Sequence, residues 1–318
     1  MWGPQALLAP AIRRPAVVTV AGPAAGSLPA TPSTPWRSRM PLIDAHQHFW
    51  DPAAVAYPWM DPADAVIHRH YGPEHLAPHL ERHGIDGTVL VQSADSDEDT
   101  DAMFAVAAEF PAVLGIVGYV PLDDPARAED RLAELAARPG FVGIRNLIHD
   151  RPDPDWLLQP AVIDGLRVLE RADVPFDLVA VLPRHLEVLL ELSERLPELR
   201  VVVDHLAKPP FGGDAGPWRE LLAAVAANPR VYAKVSGLYP EPGTDLRPWV
   251  DHAVEAFGPE RLMLGSDWPI AELAGGFDPV WSALVEVVDG YGPEVAEQLR
   301  SATARRFYRL TIEERGAR

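Results

Sequence analysis

The chain has 318 residues, 47% of them apolar, a formal charge of −18 at neutral pH and no cysteine. That length and apolar share suit one large buried core, and the acidic surface repels phosphates and so argues against a nucleic-acid partner. The missing thiols exclude disulfides, cysteine nucleophiles and cysteine-ligated metals. No stretch approaches the roughly 20 apolar residues of a membrane span, so a cytoplasmic protein acting on a small molecule, as a monomer or homodimer, is expected.

Residues 1–39 stand apart: they are rich in Ala, Pro, Ser and Thr and carry four arginines and no acid. They lack the pattern of a segment that joins a core and read as a disordered or non-native extension, with Met40 as an alternative start just before the first strand pattern. A rival reading takes Arg13-Arg14 and the mostly apolar run 15–22 as a twin-arginine export signal, which the prolines disfavour.

From residue 42 onward, short β-branched runs alternate with segments of helical period, the pattern of βα units around a parallel sheet. Strand patterns fall at 42–48, 87–93, 113–121, 141–146, 175–181, 200–206, 231–237 and 261–267. Helical patterns between them include 74–83, 97–110, 127–138, 185–196, 218–228 and 247–257, with a final pair at 279–291 and 293–308. Eight strands at this spacing predict an α/β fold, a single-domain (β/α)8 TIM barrel over residues 40–318. The first βα turn has neither a GxGxxG nor a Walker sequence to favour an open nucleotide-binding sheet. The long segment 49–73 carries Trp50, Tyr57, Trp59 and Met60, and is expected either to wall the substrate or simply to pack over the barrel rim.

In such barrels the chemistry sits at the C-terminal strand ends. Alternation along each strand puts His46 and His48 on one face of the first, His205 with Val201 and Val203 on the sixth, and Asp267 with Met263 and Gly265 on the eighth. By the same count Arg145 ends the fourth strand and Lys234 lies on the seventh, with Lys208 just past the sixth. Singly, each has a plain structural reading: an HxH pair arises by chance, a lone Asp caps a turn, a lone Arg pairs with a carboxylate. Gathered at the ends of strands one, six and eight, titratable groups that are costly to bury point to a site. His68, His70, His75, His79, His83, His149, His185 and His252 fall on helices or loops and read as structural.

Five segments carry a resemblance: Asp44-Ala45-His46-Gln47-His48-Phe49-Trp50, Phe141-Val142-Gly143-Ile144-Arg145, Asp204-His205-Leu206-Ala207-Lys208-Pro209, Lys234-Val235-Ser236-Gly237 and Gly265-Ser266-Asp267-Trp268-Pro269. In content and order they resemble the amidohydrolase-superfamily barrels of the fuconolactonase and rhamnonolactonase type, over nearly all of 41–308. Members of that branch open sugar-acid lactones, and the related pyrone-dicarboxylate lactonases act on another cyclic ester. The resemblance implies an amidohydrolase-like barrel and a hydrolase of carbohydrate metabolism, a lactonase for a small ring such as fuconolactone or rhamnonolactone. The chain departs from the pattern twice. Arg145-Asn146 stands where an Arg-His pair is common, which bears on substrate choice, and Thr303-Ala304 replaces Asn-Ala before the Arg-Phe-Tyr run, which reads as structural.

Metal-bearing amidohydrolases add a strand-five His, or a bridging Lys or Glu, to the HxH and the last-strand Asp. Residues 175–181 hold no His and no Lys ends the fourth strand, so a two-metal site is not expected. A single divalent cation, zinc or manganese, on His46, His48 and Asp267, with His205 as a further ligand, suits the nitrogen and oxygen donors. No obligatory cofactor is expected, because a lactone is an activated ester. In the expected mechanism Asp267 takes a proton from water and returns it to the leaving alkoxide, while His46, His48 and His205 orient that water or donate to the carbonyl oxygen. Arg145, Lys208 and Lys234 are expected to hold substrate hydroxyls or carboxylates and Trp50 to stack on the ring. Two alternatives stay open: a metal-dependent decarboxylase of a small unsaturated acid, and a catalytically silent barrel that binds a sugar acid.

Overall fold

Eight parallel strands follow one another around a single sheet in chain order: β1 (Ile43–Gln47), β2 (Gly87–Val91), β3 (Val113–Gly118), β4 (Phe141–Asn146), β5 (Phe176–Leu178), β6 (Val201–Val203), β7 (Val231–Val235) and β8 (Leu262–Leu264). The computed structural model describes residues 41–239 and 243–312, all within the unit Met40–Arg318; the extension expected at 1–39 lies outside the described residues. The ring closes beyond the ladder proper. Gln47 bridges Trp268, the Asp267 amide donates to the His46 carbonyl (2.8 Å) and the His48 amide to the Trp268 carbonyl (2.7 Å). Closure and the two histidines therefore depend on the same backbone bonds, and the chain is the (β/α)8 barrel that its strand count predicts.

Each strand is followed by a helix: α1 (Pro73–His83), α2 (Asp97–Glu109), α3 (Pro125–Ala136), α4 (Pro160–Arg171), α5 (Pro183–Arg195), α6 (Gly216–Ala226), α7 (Arg247–Phe257) and α8 (Phe277–Asp289). Proline opens α1, α3, α4 and α5, at the position where a missing N–H costs no hydrogen bond. Ser96 caps α2 by accepting from the Asp99 amide, and Asp124 caps α3 by accepting from the Arg127 amide. The last helical pattern, continuous in sequence over 293–308, is divided into α9 (Pro293–Glu297) and α10 (Thr303–Tyr308) by a π turn at Gln298–Ala302. Among the described residues, no helix is long and apolar enough to cross a membrane.

The C-terminal segment fills the lower end of the barrel. Phe307 and Tyr308 pack in one cluster with Ile43, Ala45, Val89, Val117, Val202 and Met263, each aliphatic side chain of Val or Ile size contributing roughly 1.5–3 kcal/mol on full burial. Ala45 belongs to this layer because of a register slip in β1. Asp44 lies opposite Thr88 and Gln47 opposite Leu90, three steps on one strand against two on the next. That bulge lets Ile43 and Ala45 face the core below and His46 and His48 face inward above, where simple alternation turns Ala45 away.

Strand β6 alternates in the opposite phase to the one the sequence predicts, and the backbone turns after it. Val202 and Asp204 are its inward residues, rather than Val201 and Val203, and the strand ends at Val203. His205, Leu206, Ala207 and Lys208 then take left-handed backbone, with φ of 56°, 50°, 56° and 51°. This run swings His205 inward. Left-handed backbone costs a non-glycine residue about 1–2 kcal/mol, and strain of that kind concentrates at functional sites.

Candidate active site

The ends of β1, β6 and β8 bring four side chains to one point at the C-terminal mouth. Asp267 Oδ1 lies 3.6 Å from His46 Nε2, 3.4 Å from His48 Nε2 and 3.6 Å from His205 Nε2, and none of the four residues is more than 4% exposed. Each is fixed from behind. The Asp44 carboxylate accepts from the Ser266 amide (2.8 Å) and hydroxyl (2.6 Å), pinning the turn that carries Asp267. His48 Nδ1 donates to the Val91 carbonyl (2.8 Å), and His205 Nδ1 lies 2.9 Å from the Ser236 hydroxyl. Gly237, at φ 57°, leaves the room that His205 and Asp267 occupy: a Cβ there would sit 2.6 Å from His205 Nδ1 and 2.8 Å from Asp267 Oδ2.

Burial opposes ionisation of Asp267, but His205, His48, the Lys208 ammonium and His46 outweigh it and hold the carboxyl well below its usual range. Burial pushes His205 down to about 3. It also lowers His46 far below the ordinary imidazole value, with the Lys234 ammonium adding to the effect and Asp204 partly opposing it. The centre is therefore an ionised carboxylate surrounded by imidazoles, with His46 and His205 held neutral.

A second layer lies beneath His46. Lys234 Nζ is 2.6 Å from Asp177 Oδ2, 3.1 Å from Asp204 Oδ1 and 3.0 Å from His46 Nδ1, with no exposed surface. Asp177 also accepts from the Tyr308 hydroxyl (2.7 Å), and Asp204 Oδ2 accepts from Arg145 Nη1 (3.2 Å). Burial raises Asp177 to about 6 despite the lysine beside it. For Asp204 the Lys234 ammonium, His46 and Arg145 outweigh burial and hold the carboxyl well below normal. Lys234 thus stands under His46 and not at the mouth, where the sequence places it, fully buried, hydrogen-bonded to Asp177 and His46 and ion-paired with Asp204. Arg145 is also largely committed, its Nη2 donating to the Gln92 carbonyl (2.5 Å), yet its Nη1 comes within 3.5 Å of His46 Nε2 and borders the centre.

At the mouth itself, half-buried Lys208 donates to the Gly237 carbonyl (3.2 Å) and lies 3.8 Å from Asp267 Oδ2. The Tyr239 hydroxyl donates to the same Oδ2 (3.0 Å). The segment 49–73 is pinned across the strand ends: Trp59 donates to the Ser93 carbonyl (2.6 Å) and Tyr57 to Asp99 (2.9 Å). Trp50 is buried, stacks near His48 at 6.3 Å between ring centroids, and donates its N–H to the Ile67 and Arg69 carbonyls (3.1 and 3.0 Å). Its place is behind His48, which is support for an imidazole more than an open platform for a sugar ring.

Sequence reasoning passed over four residues that this geometry brings in: Asp177, Asp204, Tyr239 and His149. A carboxylate inside the apolar strand at 175–181 was a signal, since such a group needs a buried partner. His149 follows β4 on a short turn (Ile148–Asp150); burial, aided by Arg145 and Lys208, pushes its imidazole down to about 3, and its Nδ1 has no hydrogen-bond partner among the described residues. Its isolation in a loop gave no hint of this. His185 behaves as read, its Nδ1 accepting from the Val181 amide at the start of α5.

His46, His48 and Asp267 also fit a divalent cation. Their converging atoms are 3.1, 3.4 and 3.6 Å apart, near the roughly 3.3 Å between ligands of a tetrahedral ion with bonds of about 2.0 Å. The other buried grouping, His46, Asp204 and His205, has its carboxylate bound by Lys234 and Arg145.

Comparison with known proteins agrees with this arrangement. The amidohydrolase family model matches residues 43–310. The chain is 38% identical over 278 residues to an L-fucono-1,5-lactonase of Burkholderia ambifaria, covering 84% of this chain and 95% of that protein. It is 33% identical over 287 residues to an L-fucono-1,5-lactonase of Burkholderia multivorans, covering 84% and 96%. A zinc-bound crystal structure of an amidohydrolase from Burkholderia multivorans superposes with a TM-score of 0.77 at 30% identity, over 85% of this chain and 100% of that one.

Proposed function

This chain belongs to the amidohydrolase family, and on that premise we propose that it hydrolyses the ester of a sugar-acid lactone, of the L-fucono or L-rhamnono kind, with water activated by Asp267. The observation that carries the reading is the buried, ionised Asp267 within 3.6 Å of three imidazole nitrogens at the barrel mouth. The relatives' names favour ester hydrolysis over decarboxylation. The acidic, cysteine-free chain supports a cytoplasmic enzyme.

Asp267 accepts a proton as the water oxygen adds to the lactone carbonyl carbon, and gives it to the ring oxygen as the tetrahedral intermediate collapses. The ester C–O bond breaks and a hydroxy acid leaves. Tyr239 and Lys208 hold Oδ2, so Oδ1 is the oxygen left facing the imidazoles and the water. An imidazole N–H, with Arg145 Nη1 beside it, receives the negative charge that develops on the carbonyl oxygen. Lys208 and His149 supply polar contacts for hydroxyls and for the carboxylate formed at the end. Zinc or manganese, when bound on His46, His48 and Asp267, would polarise the carbonyl and acidify water, and the residue chemistry above does not oblige it to be present.

The test is a pH-indicator screen of aldonolactones with purified protein, with and without a chelator. At least one lactone should be opened with kcat/KM of about 10⁴ M⁻¹s⁻¹ or more, and activity should survive chelation. A panel in which no ring opens above the buffer rate would sink the reading.

A further inference from the structure

An ammonium has three N–H donors and no acceptor, and Lys234 hydrogen-bonds Asp177 Oδ2 (2.6 Å) and His46 Nδ1 (3.0 Å), while Asp204 Oδ1 lies 3.1 Å away as an ion-pair partner. His46 Nδ1 is then the bare ring nitrogen and the ring proton sits on Nε2. His48 is constrained from its other side. Its Nδ1 lies 2.8 Å from the Val91 carbonyl, which only accepts, so Nδ1 carries hydrogen, and its Nε2 faces both His46 Nε2 (3.1 Å) and Asp267 Oδ1 (3.4 Å). The guanidinium of Arg145 does not reverse this order, because at 3.5 Å its contact with His46 Nε2 is longer than a normal hydrogen bond. The direction is set at the lysine: Lys234 donates to His46 Nδ1, and the His46 ring presents Nε2–H towards His48 and Asp267.

A histidine that ligates a metal through Nε2 has the opposite arrangement, with Nδ1–H donating to a carboxylate or carbonyl. Asp204 Oδ1 stands 3.3 Å from His46 Nδ1, placed for that role, but the lysine reaches the same nitrogen first. We propose that Lys234 is a positioning residue that fixes the tautomer of His46. It holds the ring as an Nε2–H donor into the active site and suppresses its use as a metal ligand, with Asp204 as the acceptor that takes over once the ammonium is gone. Ligation by His46 Nε2 moves the ring proton to Nδ1 and turns a lysine N–H away, so the bond from Lys234 is lost and Asp204 must take the ring proton before the cation gains one ligand. The inference concerns His46 and Lys234 and is independent of which ester the enzyme opens.

Two measurements test it on the full chain freed of metal. Long-range ¹H–¹⁵N correlation of the ¹⁵N-histidine protein, with His46 assigned through His46→Gln, should show the His46 proton on Nε2. The pair Lys234→Met with Asp177→Asn removes one charge of each sign and leaves Asp204 paired with Arg145. In that variant the proton should move to Nδ1, and zinc affinity, read by competition with a chromophoric chelator, should rise by about 10–100-fold, the range that second-layer partners command. A wild-type His46 protonated on Nδ1 overturns the proposal, as does a folded double variant that binds zinc no tighter than the parent. Should the double variant fail to fold, the wild-type spectrum still decides. The lactone screen fails or succeeds separately from both.

Discussion

Gly237→Ala puts one methyl group between two parts of the site. The residue follows β7 at φ 57°, and its Cβ would lie 2.6 Å from His205 Nδ1, 2.7 Å from His205 Cγ and 2.8 Å from Asp267 Oδ2. Alanine in left-handed backbone costs about 1–2 kcal/mol. Carbon atoms pack at about 3.5 Å or more, so the two side chains would have to withdraw by something under about 1 Å. Both are buried and tied, His205 to Ser236 and Asp267 to Tyr239, so withdrawal breaks their alignment instead of relaxing it. Overpacking of this kind costs a further 1–3 kcal/mol or so, which a large barrel survives. A displacement of about 1 Å at reacting groups lowers rate on the order of 10²-fold. The expected variant is folded, melts several degrees lower and loses about 100-fold in kcat/KM for lactone opening, measured by pH indicator beside a thermal melt. A folded variant whose kcat/KM stays within about threefold of the parent would refute the close packing of His205 and Asp267 on Gly237.

Two further outcomes follow from the surroundings of the centre. Tyr239→Phe removes the hydroxyl donor from Asp267 Oδ2; a hydrogen bond to a charged group is worth about 1.5–3 kcal/mol, so kcat/KM should drop about 10–100-fold with the melt little changed, and an unaltered rate would show that the tyrosine does not orient the carboxylate. His149 and His205 are both lowered to about 3 by burial, against about 6.5 in the unfolded chain. The unfolded chain therefore takes up these protons first, and the stability present above about pH 6.5 is lost as pH falls towards 3, at up to about 1.4 kcal/mol per pH unit for each ring. His149→Gln should flatten the dependence of unfolding free energy on pH between about 6 and 4 by close to one proton, and urea melts giving the parent slope would contradict the burial of that ring.

Much of the barrel was legible because strands buried on both faces are rich in apolar and β-branched residues, as the runs at 87–91 and 113–118 are. The polar residues at strand ends were legible for the same reason, since carboxylates and imidazoles are rarely buried without a use. What alternation could not supply was the backbone's departures from it. The extra residue in β1 changes which side chains face inward without leaving a glycine or proline to mark it, and four consecutive non-glycine residues in left-handed backbone at 205–208 are an arrangement that propensity argues against. The depth of Lys234 was hidden because it depends on Asp177, 57 positions earlier in the chain, which the sequence shows only as one acid among apolar neighbours. Tyr239 and His149 were hidden because loop residues carry no periodicity from which a direction can be read.

The assignment of the water-activating role to Asp267 is tested most directly by Asp267→Asn, assayed on whichever aldonolactone the parent opens best. The amide keeps the shape and can still accept from Tyr239, but it cannot take a proton from water. General-base catalysis contributes about 10²–10⁴-fold, so kcat should fall by that factor while KM and the melting temperature change little. A folded Asp267→Asn protein that opens the lactone within about tenfold of the parental kcat would contradict the account.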